Sequence, residues 1–479
     1  MAKEILINVE HQEKRVAIVS DGKLEEFYIE RPQDKTIVGN IYKGKIEAVL
    51  PSIGAAFVDI GLPKKGFLYL SEIESVFEST ETPRQLKPQE VKKGQEVLVQ
   101  VVKESFGTKG PRLSTHIGIA GRYLVLMPLE THVGISRRIE EEEKRRLRQV
   151  FAELKLPKDV GFIVRTAASG KSKLELLRDA QFLSKLWRRL QKISHQKKAP
   201  SLIYEEYDLT LRVIRDSFTD DVTKLIIDSK PDFYRIQRFM QTFLGYLRNK
   251  VEFYKGHDLF GEKDIEKQIN RIFEPYVYLK SKAYIIIEPT EGLVVIDVNS
   301  GGFKKKLQQE ETAFKVNAEA AAEIARQLIL RDLGGIVVID FIDMERESHR
   351  REVLSILKRA LSKDKAKYDI LGISKFGLVE MTRERIHKTV QMLSYQNCPY
   401  CKGRGKVRSA VTIAVYAIKE LKRYLKDKPT KQVSLNLSPV VVEELLKNRE
   451  GLKSIENVFK TRINLISNPT AHIEEIKIS

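Results

Sequence analysis

"VVIDVNSGG" (residues 294–302) and "IVVIDFIDM" (residues 336–344) are two short runs rich in β-branched residues that share the segment Val-Val-Ile-Asp. Between them lies "EETAFKVNAEAAAEIARQLILRDL", whose composition and apolar spacing predict a helix of about twenty residues, ended by Gly334 and Gly335. A strand, a helix and a second strand form the unit that lets parallel strands lie side by side. We therefore expect Asp297 and Asp340 to lie close together at equivalent strand ends.

Two neighbouring carboxylates need a proton or a cation, because their negative charges repel strongly. A hard divalent ion suits such a pair, and Mg²⁺ would keep several waters and accept a phosphate oxygen. That combination fits metal-assisted hydrolysis of a phosphodiester. Asn299 could orient a ligand or the attacking water. On spacing alone Asp343 rivals Asp340, and aspartate at a strand end often caps a helix or turn instead. Three lysines follow on the next loop and could meet a nucleic-acid backbone: Lys304, Lys305 and Lys306.

Composition and charge indicate a globular, multidomain protein with a polyanionic partner. The 479 residues are too many for one hydrophobic core, and 42% of them are apolar. Lys and Arg number 84 against 65 Asp and Glu, which gives a formal net charge of +19. An excess of that size suits a polyanion. We find neither an apolar run of the roughly 18 residues that span a membrane nor a signal-peptide core, so we expect a cytoplasmic protein without a transmembrane segment.

Residues 36–115 alternate short strands with glycine-containing turns, which is the pattern of a small β-barrel. Aromatic faces stack on bases and lysines follow phosphates, so Phe57 and Phe67 are candidate RNA contacts. The lysines expected around them are Lys43, Lys64, Lys65 and Lys109. The order and spacing match an S1-type OB-fold, and we favour RNA binding over a generic β-domain.

"VRTAASGKS" (residues 164–172) is predicted to be a strand followed by a polar loop. It is not a P-loop, because that motif needs glycine five residues before Gly170 and Arg165 stands there. A guanidinium and two hydroxyls could still hold a phosphate. On the residues alone, an ordinary surface arginine is the better explanation.

The two ends of the sequence raise two further expectations. Residues 1–35 contain strands and a hairpin at "SDGK", but they are too few for an independent domain, so their strands could pair with residues 208–272. Residues 409–479 form a small α/β domain that opens with the helix "AVTIAVYAIKELKRYLKD".

The chain has two cysteines, Cys398 and Cys401, in "NCPYCKGRGKV". Their C-x-x-C spacing suits a metal, but structural zinc needs four ligands. His387 and His349 could complete a site within one chain. Alternatively, two chains could each supply a cysteine pair at a dimer interface. A thioredoxin-like redox pair would need a βαβ context, which we do not expect here.

Eight segments, in order and across nearly the whole chain, resemble the ribonuclease E/G family. They are "VGNIYKGKIEAVLPSIGAAFVDIG", "GTKGPRLST", "YLVLMP", "VRTAASGKS", "VVIDVNSG", "EETAFKVNAEAAAEIARQLILRDLGGIVVIDFIDM", "GLVEMTRER" and "CPYCKGRG". The sequence ends soon after the small domain, so we expect the shorter branch of the family, without the long disordered tail of many larger members.

The resemblance implies a multidomain α/β and β protein. Its expected parts are a split RNase H-like domain (1–35 and 208–272), an S1-type OB-fold RNA-binding domain (36–115), a 5′-sensor α/β region (116–207), a DNase I-like α/β catalytic domain (273–394), a zinc-link (395–408) and a small C-terminal α/β domain (409–479).

The resemblance also implies roles for particular residues. Asp297 and Asp340 match magnesium-binding carboxylates, which settles the choice between Asp340 and Asp343, and Asn299 matches the accompanying active-site amide. The other matches are a pocket for a 5′-monophosphate, an RNA-gripping surface and a zinc shared by two chains: Val125, Arg165 and Thr166; Phe57, Phe67 and Lys109; Cys398 and Cys401.

The activity implied by the resemblance is that of a Mg²⁺-dependent, single-strand-specific endoribonuclease stimulated by a 5′-monophosphate. Such enzymes favour A/U-rich sites, leave 5′-phosphate and 3′-hydroxyl ends, process ribosomal RNA, including the 5′ end of 16S RNA, and degrade messenger RNA. The zinc implies a homodimer, with pairing into a tetramer left open. The rival hypotheses are a non-catalytic RNA-binding or ribosome-assembly factor, which leaves the paired aspartates unexplained, and a metal-dependent DNA nuclease. The lysine run in "NSGGFKKKLQQEET" departs from the family pattern and receives no role.

Overall fold

Strands from distant parts of the sequence pair to form the sheets of this protein. The computed structural model describes residues 2–73, 90–105, 109–154, 156–157, 160–290, 292–302, 309–374, 376–385, 390–447 and 449–479. Within these residues the chain divides into two units, Met1–Leu393 and Ser394–Ser479. Over the same described residues, no helix combines the length and the apolar character that crossing a bilayer requires.

The chain begins with three antiparallel strands: β1 (Lys3–Val9), β2 (Lys14–Ser20) and β3 (Lys23–Glu30). Asp21 and Gly22 join β2 to β3 and have φ angles of 48° and 78°. Positive φ at both central residues is the geometry of a two-residue hairpin turn whose twist matches the strands. The hairpin predicted at "SDGK" is therefore confirmed.

The next five strands close into a barrel. They are β4 (Ile41–Leu50), β5 (Ala55–Asp59), β6 (Gly66–Tyr69), β7 (Glu96–Lys103) and β8 (Arg112–Ser114). The barrel closes because β4 pairs with both β5 and β7, in the order β4-β5-β6-β8-β7. Val58, Leu68 and Leu113 are fully buried in its core. The predicted small barrel is confirmed.

A four-stranded sheet and two helices follow the barrel. The elements are β9 (Ile119–Ala120), β10 (Leu124–Met127), β11 (Val133–Ile135), α1 (Glu141–Glu153), β12 (Gly161–Val164), α2 (Lys173–Gln196) and β13 (Ser201–Tyr204). Helix α2 begins with a capping box, in which Ser172 and Glu175 satisfy each other's backbone N–H groups. Strand β13 pairs with β4, so the end of this region extends the sheet of the barrel.

The chain then returns to the first sheet. The elements are α3 (Leu209–Ser217), β14 (Val222–Ile227), α4 (Lys230–Phe243), β15 (Val251–Phe253), α5 (Leu259–Glu262) and α6 (Ile265–Ile272). Strand β14 runs parallel to β1, which completes a sheet of order β15-β14-β1-β2-β3. The N-terminal strands therefore share one sheet with residues 222–253, as the sequence suggests.

A mixed six-stranded sheet carries the two Val-Val-Ile-Asp segments. Its elements are β16 (Tyr276–Tyr278), β17 (Tyr284–Pro289), β18 (Leu293–Asn299), α7 (Gln309–Leu330), β19 (Gly335–Asp340), α8 (Glu347–Leu361), β20 (Tyr368–Ile373), β21 (Leu378–Arg383) and α9 (Val390–Ser394). The order is β16-β17-β18-β19-β21-β20, and β18 and β19 are parallel. Helix α7 connects them, which confirms the strand–helix–strand unit, but it ends at Leu330, before the predicted Gly334.

The two faces of β18 have different surroundings. Val294, Ile296 and Val298 are buried and pack in one core with side chains of α7, such as Val316 and Ile324. Burying an aliphatic side chain of this size contributes about 1.5–3 kcal/mol. Because strand residues alternate between faces, Asp297 and Asn299 lie on the opposite face, where both are half-buried.

Helix α7 also fixes the loop that follows β19. The Asn317 amide, which is 0% exposed, donates to the backbone carbonyl of Ile342 at 2.7 Å and accepts from its N–H at 3.1 Å. Near the start of the helix, the Glu310 carboxylate accepts from the backbone N–H of Glu345 at 2.8 Å and of Arg346 at 3.1 Å. The backbone just beyond Asp340 is thus held at two points.

The second unit is a small α/β domain. Its elements are α10 (Ala410–Asp427), β22 (Gln432–Leu437), α11 (Pro439–Lys447), α12 (Arg449–Phe459), β23 (Arg462–Ser467) and β24 (Lys477–Ile478). The helix predicted at "AVTIAVYAIKELKRYLKD" has the observed bounds of α10. Strands β22 and β23 are parallel and are connected through α11 and α12.

Replacing Asn317 with Ala should destabilise the first unit. The substitution leaves the half-buried N–H and C=O of Ile342 without their partners, which costs about 1–3 kcal/mol. Thermal unfolding followed by circular dichroism should show a lower melting temperature. Lys315→Ala, at an exposed position of the same helix, is the matched control and should change stability by less than about 0.5 kcal/mol. Equal melting temperatures of the two variants would show that the hydrogen bonds between Asn317 and Ile342 contribute little to stability.

Candidate active site and RNA interface

Asp297 and Asp340 lie directly opposite each other on the parallel strands β18 and β19. Neighbouring strands are about 4.8 Å apart, and register partners face the same side of the sheet. Burial raises the pKa of Asp340, and the negative charges of Asp297 and Asp343 raise it further. The proximity expected from the sequence is therefore present, and the pair has the electrostatic repulsion that a cation would relieve.

Asn299 belongs to the same face of β18. Its side-chain amide donates a hydrogen bond of 2.7 Å to Oδ2 of Asp297. That bond orients the carboxylate while leaving its other oxygen and remaining lone pairs available. The rival Asp343 is exposed beyond the end of β19, close enough to influence Asp340.

These residues fit a hard divalent cation that retains water ligands. Two carboxylates on one face, one of them oriented by an amide, supply the oxygen ligands that Mg²⁺ prefers, and Mg²⁺ completes its shell with water and substrate oxygens. Among the described residues no group of three or more His, Cys, Asp or Glu side chains is arranged to hold a metal. The lysines 304–306, expected beside this site, lie outside the described residues.

The barrel presents Phe57 and Phe67 side by side on β5 and β6. They are register partners, both half-buried, with ring centroids 6.1 Å apart. Tyr69 extends the cluster, 5.0 Å from Phe67, and the Arg112 guanidinium lies 4.8 Å from the Tyr69 ring. Sequence reasoning missed Tyr69 and Arg112, although the alternation of Phe67 and Tyr69 along β6 is a signal that both face the same side.

The lysines near these rings do not share one role. A hollow of about 370 Å³ beside Phe57 is lined in part by Lys64 and Lys65, and Lys109 is exposed next to the lining residue Gly110. Lys65 also forms ion pairs with two carboxylates, at 2.8 and 3.3 Å.

Lys43 was wrongly placed among the RNA-facing lysines. Its side chain is 9% exposed and forms an ion pair of 2.8 Å with Glu96. Its ammonium group donates to the backbone carbonyls of Ser194 at 3.2 Å and Lys197 at 3.0 Å. These carbonyls end helix α2, where the partial negative charge of the helix dipole favours a cation. Lys43 therefore joins the barrel to α2.

Arg165 directly follows β12, and Val125 lies on the neighbouring strand β10. The Arg165 guanidinium donates to the carbonyl of Gly121 at 2.6 Å and to the Asp216 carboxylate at 2.7 Å. Burial alone would raise the pKa of Asp216, but Arg165 and Arg215 outweigh it and lower the pKa to about 2. Asp216 thus stays ionised and holds Arg165 in one orientation.

Thr166 begins a single 3-10 turn, Thr166–Ala168, and is exposed beside Arg165. Val125, Arg165 and Thr166 therefore lie near the adjacent ends of β10 and β12. Asp216 was missed by sequence reasoning because it is distant along the chain and nothing in its local sequence distinguishes it.

Cys398 and Cys401 lie in a glycine-containing turn and are not joined by a disulfide. The backbone N–H groups of Cys401 and Tyr400, and a hydrogen bond from Cys401, lower the pKa of the Cys398 thiol. Gly405 donates its N–H to Sγ of Cys401 at 3.3 Å. A lowered thiol pKa and N–H···S bonds suit thiolate ligands of a metal, and one chain offers two of the four that zinc requires.

The two histidines considered as further zinc ligands give no support to a zinc site within one chain. His349 bonds Glu310 through Nδ1 at 2.7 Å and stacks on Phe314, with ring centroids 4.3 Å apart. His387 lies outside the described residues.

Three family models match the chain in succession. Residues 35–116 match the S1 RNA binding domain, residues 118–386 the ribonuclease E/G family, and residues 397–479 the RNase E/G thioredoxin-like domain. The expectation that the tail lacks a thioredoxin-like context is therefore wrong, and the parallel pair β22 and β23 with its connecting helices agrees with that correction. The cysteines nevertheless precede α10 by several residues rather than lying in its first turn.

Curated relatives agree with these matches. The chain is 42% identical to ribonuclease G of Salmonella typhimurium over 93% of its own length and 92% of that protein. It is 41% identical to ribonuclease G of Haemophilus influenzae, over 97% and 96% of the two lengths. It is also 41% identical to ribonuclease E of Haemophilus influenzae, over 98% of this chain but 51% of that protein. The expected likeness to the shorter branch is confirmed.

These matches favour an RNA-cleaving enzyme over the two rival hypotheses, a non-catalytic RNA-binding factor and a DNA nuclease. The curated relatives named above are all ribonucleases, and the family model is that of a ribonuclease family. The S1 barrel and the ribonuclease relatives indicate RNA binding. The chain belongs to the ribonuclease E/G family and is an endoribonuclease, a hydrolase acting on RNA.

Proposed function

We propose that this endoribonuclease is Mg²⁺-dependent, acts on single-stranded RNA and is stimulated by a 5′-monophosphate on its substrate. The observation that carries the proposal is the register of β18 and β19, which sets Asp297 opposite Asp340 on an accessible sheet face. Asp297 and Asp340 would hold the cation. A bound Mg²⁺ supplies polarisation of the phosphodiester and a lower pKa for its water.

The protein's own groups then have separate tasks. Asn299 keeps Asp297 in one orientation through its amide hydrogen bond. Asn317 and Glu310 hold the backbone that follows Asp340, which limits movement of the second carboxylate. In-line attack of water on phosphorus breaks the bond to the 3′ oxygen and leaves a 5′-phosphate and a 3′-hydroxyl.

The barrel supports the preference for single strands. Phe57 and Phe67 can stack only on bases that are not already paired and stacked in a helix, and each stacked base contributes about 1–3 kcal/mol. Lys109, exposed on the barrel, is placed to follow the phosphates. Preference for A/U-rich sites fits the same reasoning, because such segments pair weakly.

Arg165, Thr166 and Val125 are proposed as the 5′-phosphate pocket. A guanidinium, a neighbouring hydroxyl and an apolar wall suit a terminal phosphate. Asp216 and the Gly121 carbonyl fix the guanidinium before substrate arrives, so binding a phosphate costs little side-chain entropy. A docked 5′ end keeps the rest of the strand near the distant carboxylate pair.

Cys398 and Cys401 are proposed to share a zinc ion with the same pair of a second chain, making a homodimer that could pair again into a tetramer. In the cell we propose a cytoplasmic role in processing ribosomal RNA precursors, including the 5′ end of 16S RNA, and in messenger RNA decay. The support is the set of ribonuclease G and ribonuclease E relatives.

Asp297→Asn should reduce cleavage of a labelled oligoribonucleotide by about 100-fold or more, because it removes one carboxylate of the pair. RNA binding, measured by fluorescence anisotropy, should be retained. Asp369→Asn, at an exposed position of β20 in the same sheet, is the control and should cleave normally. EDTA should abolish wild-type cleavage, and an oligodeoxynucleotide of the same sequence should stay intact. Full activity of Asp297→Asn would refute the metal assignment.

Arg165→Gln should remove the preference for 5′-monophosphorylated over 5′-hydroxyl substrates, because the phosphate loses its bidentate partner. The measurement is the ratio of kcat/KM values for two oligonucleotides that differ only at the 5′ end. Arg189→Gln, an exposed position on α2, should keep the wild-type ratio. If Arg165→Gln also keeps it while melting normally, the 5′ end is recognised elsewhere.

Zinc content and native mass, measured on the same sample, test the shared site. We expect one zinc for every two chains in an even-numbered oligomer, and loss of both zinc and dimer in Cys398→Ser. The matched control is Ser409→Ala, which removes a helix cap in the same unit without touching either thiol. One zinc bound to each monomer would contradict sharing.

A further inference from the structure

Three tyrosines form a cluster at the edge of the catalytic sheet. Tyr276 and Tyr278 lie on the edge strand β16, and Tyr284 lies on β17. The ring centroids of Tyr276 and Tyr278 are 6.0 and 6.1 Å from that of Tyr284. Tyr276 is 48% exposed and Tyr278 is 74% exposed. Such exposed aromatic area contributes little to the core and is available to a ligand.

The register places these rings in line with the catalytic residues. Tyr276 pairs with Ile286, Ile286 pairs with Asp297, and Asp297 pairs with Asp340. In the adjacent row, Tyr278 pairs with Tyr284, which pairs with Asn299. Register partners share a face, so the tyrosines and the carboxylates lie on the same side of the sheet. Two strand spacings separate Tyr276 from Asp297, which is about 10 Å.

The surroundings of the cluster favour RNA over another protein as the occupant. Lys280 and Lys282 are exposed in the β16–β17 turn, at the end of the strands where Asn299 lies. Glu319 of α7 accepts from the backbone N–H of Lys280 at 2.6 Å and of Ser281 at 3.3 Å, which holds the turn in place. Aromatic rings bordered by lysines on a fixed hairpin form the arrangement that binds single strands.

We propose that Tyr276, Tyr278 and Tyr284 form a stacking subsite for an unpaired base flanking the scissile phosphate. The inference rests on the proposed function, because it takes the phosphate to be held at Asp297 and Asp340. The subsite binds the RNA on one side of the scissile phosphate, and it lies on strands that are separate from the barrel. It therefore orients the phosphodiester from the catalytic sheet itself, whereas Phe57 and Phe67 belong to the barrel.

The test uses the full-length protein and oligoribonucleotides that carry 2-aminopurine at single positions around the cleavage site. Stacking on an aromatic ring changes the fluorescence of this base, so one flanking position should respond on binding in EDTA. The Tyr276→Ala/Tyr278→Ala variant should lose that response and raise KM about 10-fold, with kcat changed less. Tyr276→Phe/Tyr278→Phe should restore both, because stacking needs the ring and not the hydroxyl.

Tyr234→Ala, an exposed tyrosine on α4, is the matched control and should behave as wild type. Unchanged fluorescence and KM in the double alanine variant would overturn the proposal, as would failure of the phenylalanine variant to restore them. Absence of Mg²⁺-dependent cleavage by the wild type would instead contradict the proposed function. The fluorescence measurement in EDTA would still report separately on stacking.

Discussion

The parallel pairing of β18 with β19 sets Asp297 opposite Asp340 and so holds two negative charges on neighbouring strands. A slip of one residue would turn Asp340 toward the core and leave a single carboxylate on the accessible face. The register is kept by the buried residues between the charges, since Ile296 pairs with Ile339 and both are fully buried. Apolar packing on one face of the sheet thus enforces an unfavourable electrostatic arrangement on the other.

Helix α7 connects the two strands and also supports the loops around them. Asn317 and Glu310 fix the chain after β19, and Glu319 fixes the β16–β17 turn. At the start of β19, the buried Arg383 forms ion pairs with Asp364 at 2.6 Å and with Asp332 at 2.8 Å. These ion pairs hold the chain where β19 begins. The accessible face is therefore shaped by polar contacts that originate beneath or beside it. This is how a surface site acquires a defined geometry.

Local patterns in the sequence predicted several elements well. Asp21 and Gly22 predicted the hairpin, the apolar spacing predicted α7 and α10, and repeated short strands predicted the barrel. The errors arose where distant segments meet. Lys43 looks like a surface lysine until α2 is seen to end against it, and Asp216 acquires its role only beside Arg165. Sequence reasoning also missed the tyrosines of β16, because their alignment with Asp297 depends on the order of three strands, β16, β17 and β18.

Lys43 has a structural consequence for the two groups of residues proposed to contact RNA. It ties β4 of the barrel to the last turn of α2, and β13 adds a second connection through strand pairing. Helix α2 in turn packs against β10, the strand that carries Val125. The barrel that carries Phe57 and Phe67 is therefore connected to β10 and its neighbour β12, which Arg165 follows, through strand pairing and the packing of α2. Under the proposed function, this connection would set how many nucleotides of a bound RNA lie between the bases stacked on the barrel and the docked 5′ end.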